Sequence, residues 1–169
     1  MIRKNKKLFL LACIVIPFMV YSFYYYAMVF KNAPYKFTEF ESIVFKYGKN
    51  DSLINQYNSA TGDYQYKTDK GNLVKKKLYL TKDEELYLHH KAAELGFWDF
   101  PSNEARTDSA NAKIHPSPKY YMEFNYKRKS KKVFYDAAYD GDQRLVDANE
   151  RMIKEIQKVL DEAEAKQNK

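Results

Sequence analysis

Three histidines and a scatter of carboxylates are the first side chains in this sequence to weigh for chemistry. His90 and Glu94 stand four residues apart, a spacing that shares one face of a helix and can hold zinc, with His115 as a third ligand from a loop. A metal site needs at least three converging ligands, and nothing in the spacing returns His115 to the helix. His89 and His90 are adjacent and so point about 100° apart on a helix, which does not favour joint chelation. The expectation is a solvated or core-edge histidine pair and no metal. Nucleophilic chemistry is no better supported. Cys13 sits inside an apolar run, and no Gly-x-Ser-x-Gly elbow, phosphate-binding loop, dinucleotide fingerprint or His-Glu-x-x-His is present. Asp99, Asp108, Asp136, Asp140 and Asp142 offer carboxylates of the kind glycoside hydrolysis pairs. Asp140-Gly141-Asp142, however, reads as a turn followed by a helix cap. No catalytic residue and no cofactor is expected, with a hydrolase or metal-dependent enzyme kept as the alternative.

Charge and tyrosine offer binding chemistry instead. Lys127, Arg128, Lys129, Lys131 and Lys132 place five positive charges in six residues. Such a run is the exposed tip of a hairpin, kept soluble by its charge, or a contact for anionic headgroups or an acidic partner. Lys75-Lys76-Lys77 is a second run that can share that side. Twelve of the 16 tyrosines follow residue 30. Some must face a core, and any left on a sheet surface would suit peptides or glycans.

The net charge of +7 has to be divided before it is read. Arg3, Lys4, Lys6 and Lys7 contribute +4 within residues 1–30, which hold no acidic residue. The other 139 residues carry 25 basic and 22 acidic side chains, too nearly balanced to call for nucleic acid.

Leu8 to Phe30 is 23 residues without a charge. As a helix it would extend about 35 Å, enough for a hydrocarbon core. A transmembrane anchor over residues 1–30 is therefore expected, in contact with membrane lipid through residues 8–30, with Tyr21, Tyr24, Tyr25 and Tyr26 at its far end. Four basic residues before the run predict a cytoplasmic N-terminus in a single-pass protein of the cell membrane. Cleavage after Ala27 or Ala33 would need a small residue where a bulky one stands. Leu10-Leu11-Ala12-Cys13 resembles a lipobox, and makes a lipoprotein or structural envelope component the other alternative.

Residues 31–40 read as a short tether, and 41–169 as an extracytoplasmic domain. Strand alternation marks 41–48, a hairpin runs from Tyr64 to Leu80 about Gly71, and a second hairpin joins 120–126 to 132–135. Thr81 and Glu84 form a capping box for a helix that ends at Gly96. Phe97-Trp98-Asp99-Phe100-Pro101 reads as an aromatic plug of the core, and 102–118 as a polar loop. Asp142 caps a last helix to about residue 165, with Leu145, Met152, Ile156, Val159 and Ala163 on one face. The expected fold is α+β: a transmembrane helix, then a small antiparallel sheet with two helices on one face.

The sequence of leading strand, hairpin, Leu80-Thr81 opening a helix, Gly96-Phe97-Trp98-Asp99-Phe100-Pro101, second hairpin and terminal helix resembles small bacterial envelope domains found behind lipoprotein signals or single anchors. The resemblance covers residues 41–165. It implies an envelope setting and carries over no catalytic residue. The function expected is non-catalytic binding of a protein, peptide or envelope component, with no nucleic-acid partner.

Overall fold

The structure, a computed structural model, describes residues 2–31, 35–49, 52–68, 70–107 and 116–167. The chain divides into two units, Met1–Tyr35 and Lys36–Lys169. The first holds a single helix, α1 (Ile2–Lys31), with Pro17 inside it. Every large apolar side chain described along α1, from Phe9 to Tyr26, is exposed.

The membrane-spanning helix expected over Leu8–Phe30 is corrected here. Among the described residues no helix is long and apolar enough to cross a membrane. The reason lies in composition: six of the sixteen residues from Leu11 to Tyr26 are Pro17, Ser22 and four tyrosines. A hydroxyl is a polar group, costly in a hydrocarbon core unless it is hydrogen-bonded.

The second unit contains β1 (Phe40–Lys49), β2 (Asn55–Asn58), β3 (Asp63–Lys67), β4 (Leu73–Lys77), α2 (Lys82–Glu94), β5 (Asn103–Glu104), β6 (Pro118–Tyr126), β7 (Ser130–Asp136) and α3 (Gln143–Gln167). The strands form one sheet in the order β4-β3-β2-β1-β6-β7-β5. The expected all-antiparallel sheet is also corrected, because β5 runs parallel to β7. The order of elements differs as well: β2 follows β1, and a 3-10 turn (Phe97–Asp99) and β5 separate α2 from β6. Neither added strand has a period to read. Tyr57 is the only apolar residue of β2, and β5 is two polar residues long.

Cross-strand register divides the sheet into two unlike faces. Ile43, Phe45 and Tyr47 of β1 lie opposite Phe124, Met122 and Tyr120 of β6, and Tyr57 opposite Tyr64. These point to the helices. Phe45, Met122, Phe124, Val133 and Tyr135 are fully buried there, against Leu88 and Ala92 of α2 and Met152 and Ile156 of α3. His89 of α2 bonds the Tyr126 hydroxyl at 2.8 Å, and Tyr66 donates to Glu164 of α3 at 3.0 Å. Both helices therefore rest on the same face.

Local chemistry fixes the helix ends. The Thr81 hydroxyl accepts from the Glu84 amide, and the Glu84 carboxylate accepts from the Thr81 amide. Gly96 closes α2 in the left-handed region at φ +73°, open to glycine at little cost. Gly62 is also left-handed, at φ +69°, and the Tyr79 ring occupies the space where a Cβ would stand.

The segment after Gly96 plugs one end of the core. Phe97, Trp98 and Phe124 meet with ring centroids 5.2–5.7 Å apart. Phe124→Ala should cost about 3–5 kcal/mol, read by urea unfolding through the fluorescence of Trp98, the sole tryptophan. A loss under about 1 kcal/mol would show that this cluster does not hold the core.

Candidate functional site

Among the described residues of the second unit, no helix lies on the other face of the sheet. Because paired residues share a side, the register lays out its rows directly. One row reads Phe134, Tyr121, Lys46, Gln56, Gln65, Lys75 across β7, β6, β1, β2, β3 and β4. The adjacent row reads Lys132, Glu123, Val44, Asn58, Asp63, Lys77. Between β1 and β4 the surface forms a concavity of about 470 Å³, lined by Lys46, Gln56, Gln65 and Lys75 and also by the carboxylates Asp63 and Glu123.

Several of these side chains are already oriented. The Gln65 amide donates to the Ile54 carbonyl at 2.8 Å, which leaves its own oxygen as an acceptor. The Lys46 ammonium lies 5.8 Å from the centroid of the Tyr121 ring, a cation–π contact. Lys77 pairs with Asp63 at 2.8 Å, and Glu123 accepts from the Tyr121 hydroxyl at 2.7 Å. Lys46 and Lys75 have no carboxylate partner among the described residues.

The basic run at the second hairpin is distributed over different surroundings. Lys127 and Arg128 form the turn itself, where the Lys127 amide donates to the Glu39 carbonyl at 2.9 Å. Arg128 forks onto the Glu39 carboxylate, its Nε at 3.0 Å, and this guanidinium holds Glu39 below the usual carboxylate range. Burial lowers the Lys129 ammonium. Lys131 points to the helix side and donates to the Phe100 carbonyl; burial lowers its ammonium too. Lys132 lies opposite Glu123 on the helix-free face. Of the five, only Lys132 belongs to the rows described above. Lys76 likewise turns inward to pair with Glu164, while Lys75 and Lys77 face out.

Among the described residues no three His, Cys, Asp or Glu side chains gather as metal ligands. His90 is exposed, and Glu94 is taken by Lys91 at 2.8 Å. His115 and Asp108 lie outside the described residues. His89 is a core histidine, its pKa lowered by burial. Asp140 accepts from the backbone and hydroxyl of Thr107, and Asp142 caps α3 through the Arg144 amide at 2.9 Å.

One carboxyl is unusual, and the polar stretch 102–118 hid it. Glu104 of β5 is fully buried on the helix side, where Asn149 of α3 donates to its Oε2 at 2.6 Å. The Asn149 amide also donates to the Leu145 carbonyl at 2.8 Å. Burial pushes Glu104 up to about 7, against the Asn149 hydrogen bond and the nearby Lys131 charge, which pull it down. Its side chain exposes no surface, so it is a polar joint between β5 and α3.

Comparison with known protein families, with curated proteins and with solved structures finds no match. The functional reading therefore rests on the chain's own sequence and geometry.

The raised Glu104 pKa sets the direction of a pH effect. The folded chain holds a proton on Glu104 that the unfolded chain has released, so this contribution to stability is complete below about pH 4.5. It is lost as pH rises toward about 7. Glu104→Gln keeps a neutral amide at the joint and should remove this loss. The difference in unfolding free energy between variant and parent should therefore shift in the variant's favour from pH 5 to pH 7. A constant difference across that window would show that Glu104 ionises normally.

Proposed function

We propose that the Lys36–Lys169 unit is a non-catalytic binding module for a protein, peptide or envelope component, and that its ligand lies on the helix-free face of the sheet. The carrying observation is the concavity between β1 and β4, on a surface the core does not need. An antiparallel sheet is stable with one face covered, so the second face can be spent on recognition. Ligand sites combine concavity with a few fixed polar groups, and here amides and ammonium groups are set on rigid strands. The same reading puts the chain at the cell membrane through contact of residues 8–30 with lipid. Its support is the basic cluster ahead of an uncharged run and the exposed apolar side chains of α1. The resemblance of residues 41–165 to small envelope domains points the same way.

A photo-cross-linking residue at Gln56, on the helix-free face, tests the reading in cells that make the full chain. It should give a discrete adduct that the same residue at Glu162, on the outer side of α3, does not. Equal labelling from both positions, or none from Gln56, would refute it.

A further inference from the structure

We infer that the helix-free face takes an extended acidic polypeptide segment, laid across the strands along the row Lys46, Gln56, Gln65, Lys75. This rests on the binding-module reading and names its ligand.

The first argument is charge. On the helix-free face the register places Lys46, Lys67, Lys75, Lys77, Lys119 and Lys132 against Asp63, Glu123 and Asp136, an excess of three positive charges. Asp136 is itself buried and bonded by Ser117 and the Ala138 amide. The two helices on the opposite side carry seven basic and ten acidic residues, an excess of three negative charges. The unit is thus electrically two-sided, and the side with the concavity attracts anions.

The second argument is spacing. Lys46 and Lys75 end a row that contains no carboxylate, separated by three inter-strand steps of about 4.8 Å, or roughly 14 Å. An extended chain advances about 3.3 Å per residue, so carboxylates about four residues apart would reach both ammonium groups. Between them lie Gln56 and Gln65, whose amides can both donate to and accept from a peptide backbone. The Gln65 amide is already turned by the Ile54 carbonyl so that its oxygen is the free acceptor.

The third argument discriminates between anions. A sugar ring would want an exposed aromatic face, and the tyrosines of β2 and β3 are turned to the helix side. Tyr121 faces out but is engaged by Lys46. A bilayer is broad and level, whereas the two unpaired lysines flank a hollow. A narrow, extended, acidic chain fits both facts.

The test uses the full-length chain and a fluorescently labelled oligoglutamate, read by anisotropy. Binding should be seen, should weaken as salt rises from about 50 to 500 mM, and should be absent for a Gly-Ser peptide of equal length. Lys46→Gln with Lys75→Gln should weaken it about tenfold or more, while Lys154→Gln with Lys158→Gln on α3 should leave it unchanged. Lys46→Arg with Lys75→Arg should retain it, which separates lost charge from lost folding, and thermal melts should coincide. Absence of oligoglutamate binding would overturn the inference, as would binding that survives the glutamine pair. Anionic vesicles that bind more tightly than the peptide and depend on the same two lysines would assign the face to lipid and overturn it too. If the peptide fails while the Gln56 cross-link persists, the acidic-peptide inference falls and the binding module stands. If both fail, both fall.

Discussion

The pairing register of β1 against β6 is the constraint from which the rest of the second unit follows. Nine paired positions hold these two strands together, the longest ladder in the sheet. Side chains alternate across a strand, so a slip of one residue would exchange Ile43, Phe45 and Tyr47 for Val44 and Lys46 on the covered side. A register shift between Phe40 and Ser42 lets Phe40 still meet Phe124 and Tyr126, while Ser42 lines up outward and bonds Asn125 at 3.2 Å. With that register set, the aromatic face has to be covered by α2 and α3. The amide and lysine face is then left to water or to a ligand.

Polar groups on the covered face show how strictly the division is kept. Lys76 is trapped on the inner side by the register of β4, and it is met there by Glu164 and lies 5.5 Å from the Tyr66 ring centroid. Lys131 is trapped in the same way on β7 and turns to the Phe100 carbonyl. Glu104 meets Asn149. Each of these side chains has a partner, although Glu104 Oε1 and Asn149 Oδ1 are buried without a hydrogen bond, and an unpaired charge would carry its whole desolvation cost. The outward charges need no such partners, which is why Lys46 and Lys75 can stand without carboxylates.

Much of this was legible in the sequence, and the parts that were not have definite causes. Alternation of Tyr64 and Tyr66 with Gln65 and Lys67 announced a strand with unlike faces, and Thr81 with Glu84 announced the start of α2. The same alternation also held the row proposed for binding, since Lys46 and Gln65 are the polar halves of strands recognised by their apolar halves. What no spacing supplied was the lateral alignment that sets Lys46, Gln56, Gln65 and Lys75 in one line, because it joins four strands. The basic run at 127–132 drew attention by density along the chain, but a strand sends neighbours to opposite sides, and Lys131 and Lys132 part there. Tyrosine abundance left open which rings face the core; in β2 and β3 Tyr57 and Tyr64 are buried on the helix side and Tyr66 is half-buried there. β2 and β5 escaped notice because a strand stabilised by its neighbours needs no apolar period of its own. The spanning helix is corrected for a different reason: freedom from charge is not apolarity, and tyrosine, serine and proline satisfy the first without the second.

The two chemically distinctive places in the unit lie on opposite sides of one sheet, and this separation bears on what each can do. Glu104 has the most perturbed carboxyl, yet it is closed off from solvent, so its protonation acts on the fold and not on a bound molecule. Lys75 is exposed and Lys46 half-buried beside Tyr121, both on the side away from the core, so changing them would bear on the proposed recognition and not on the core. β7 joins the two regions, with Tyr135 opposite Glu104 on the inner side and Phe134 at the end of the outer row. Glu104 joins β5 to α3 through Asn149, and any effect of its ionisation on the outer row would have to pass through the backbone of β7. The row's lysines sit on β1 and β4, beyond β6, and both residues of β5 pair with β7 alone. Stability should therefore respond to pH through one edge of the sheet, while the proposed recognition would be set by the strands toward the other.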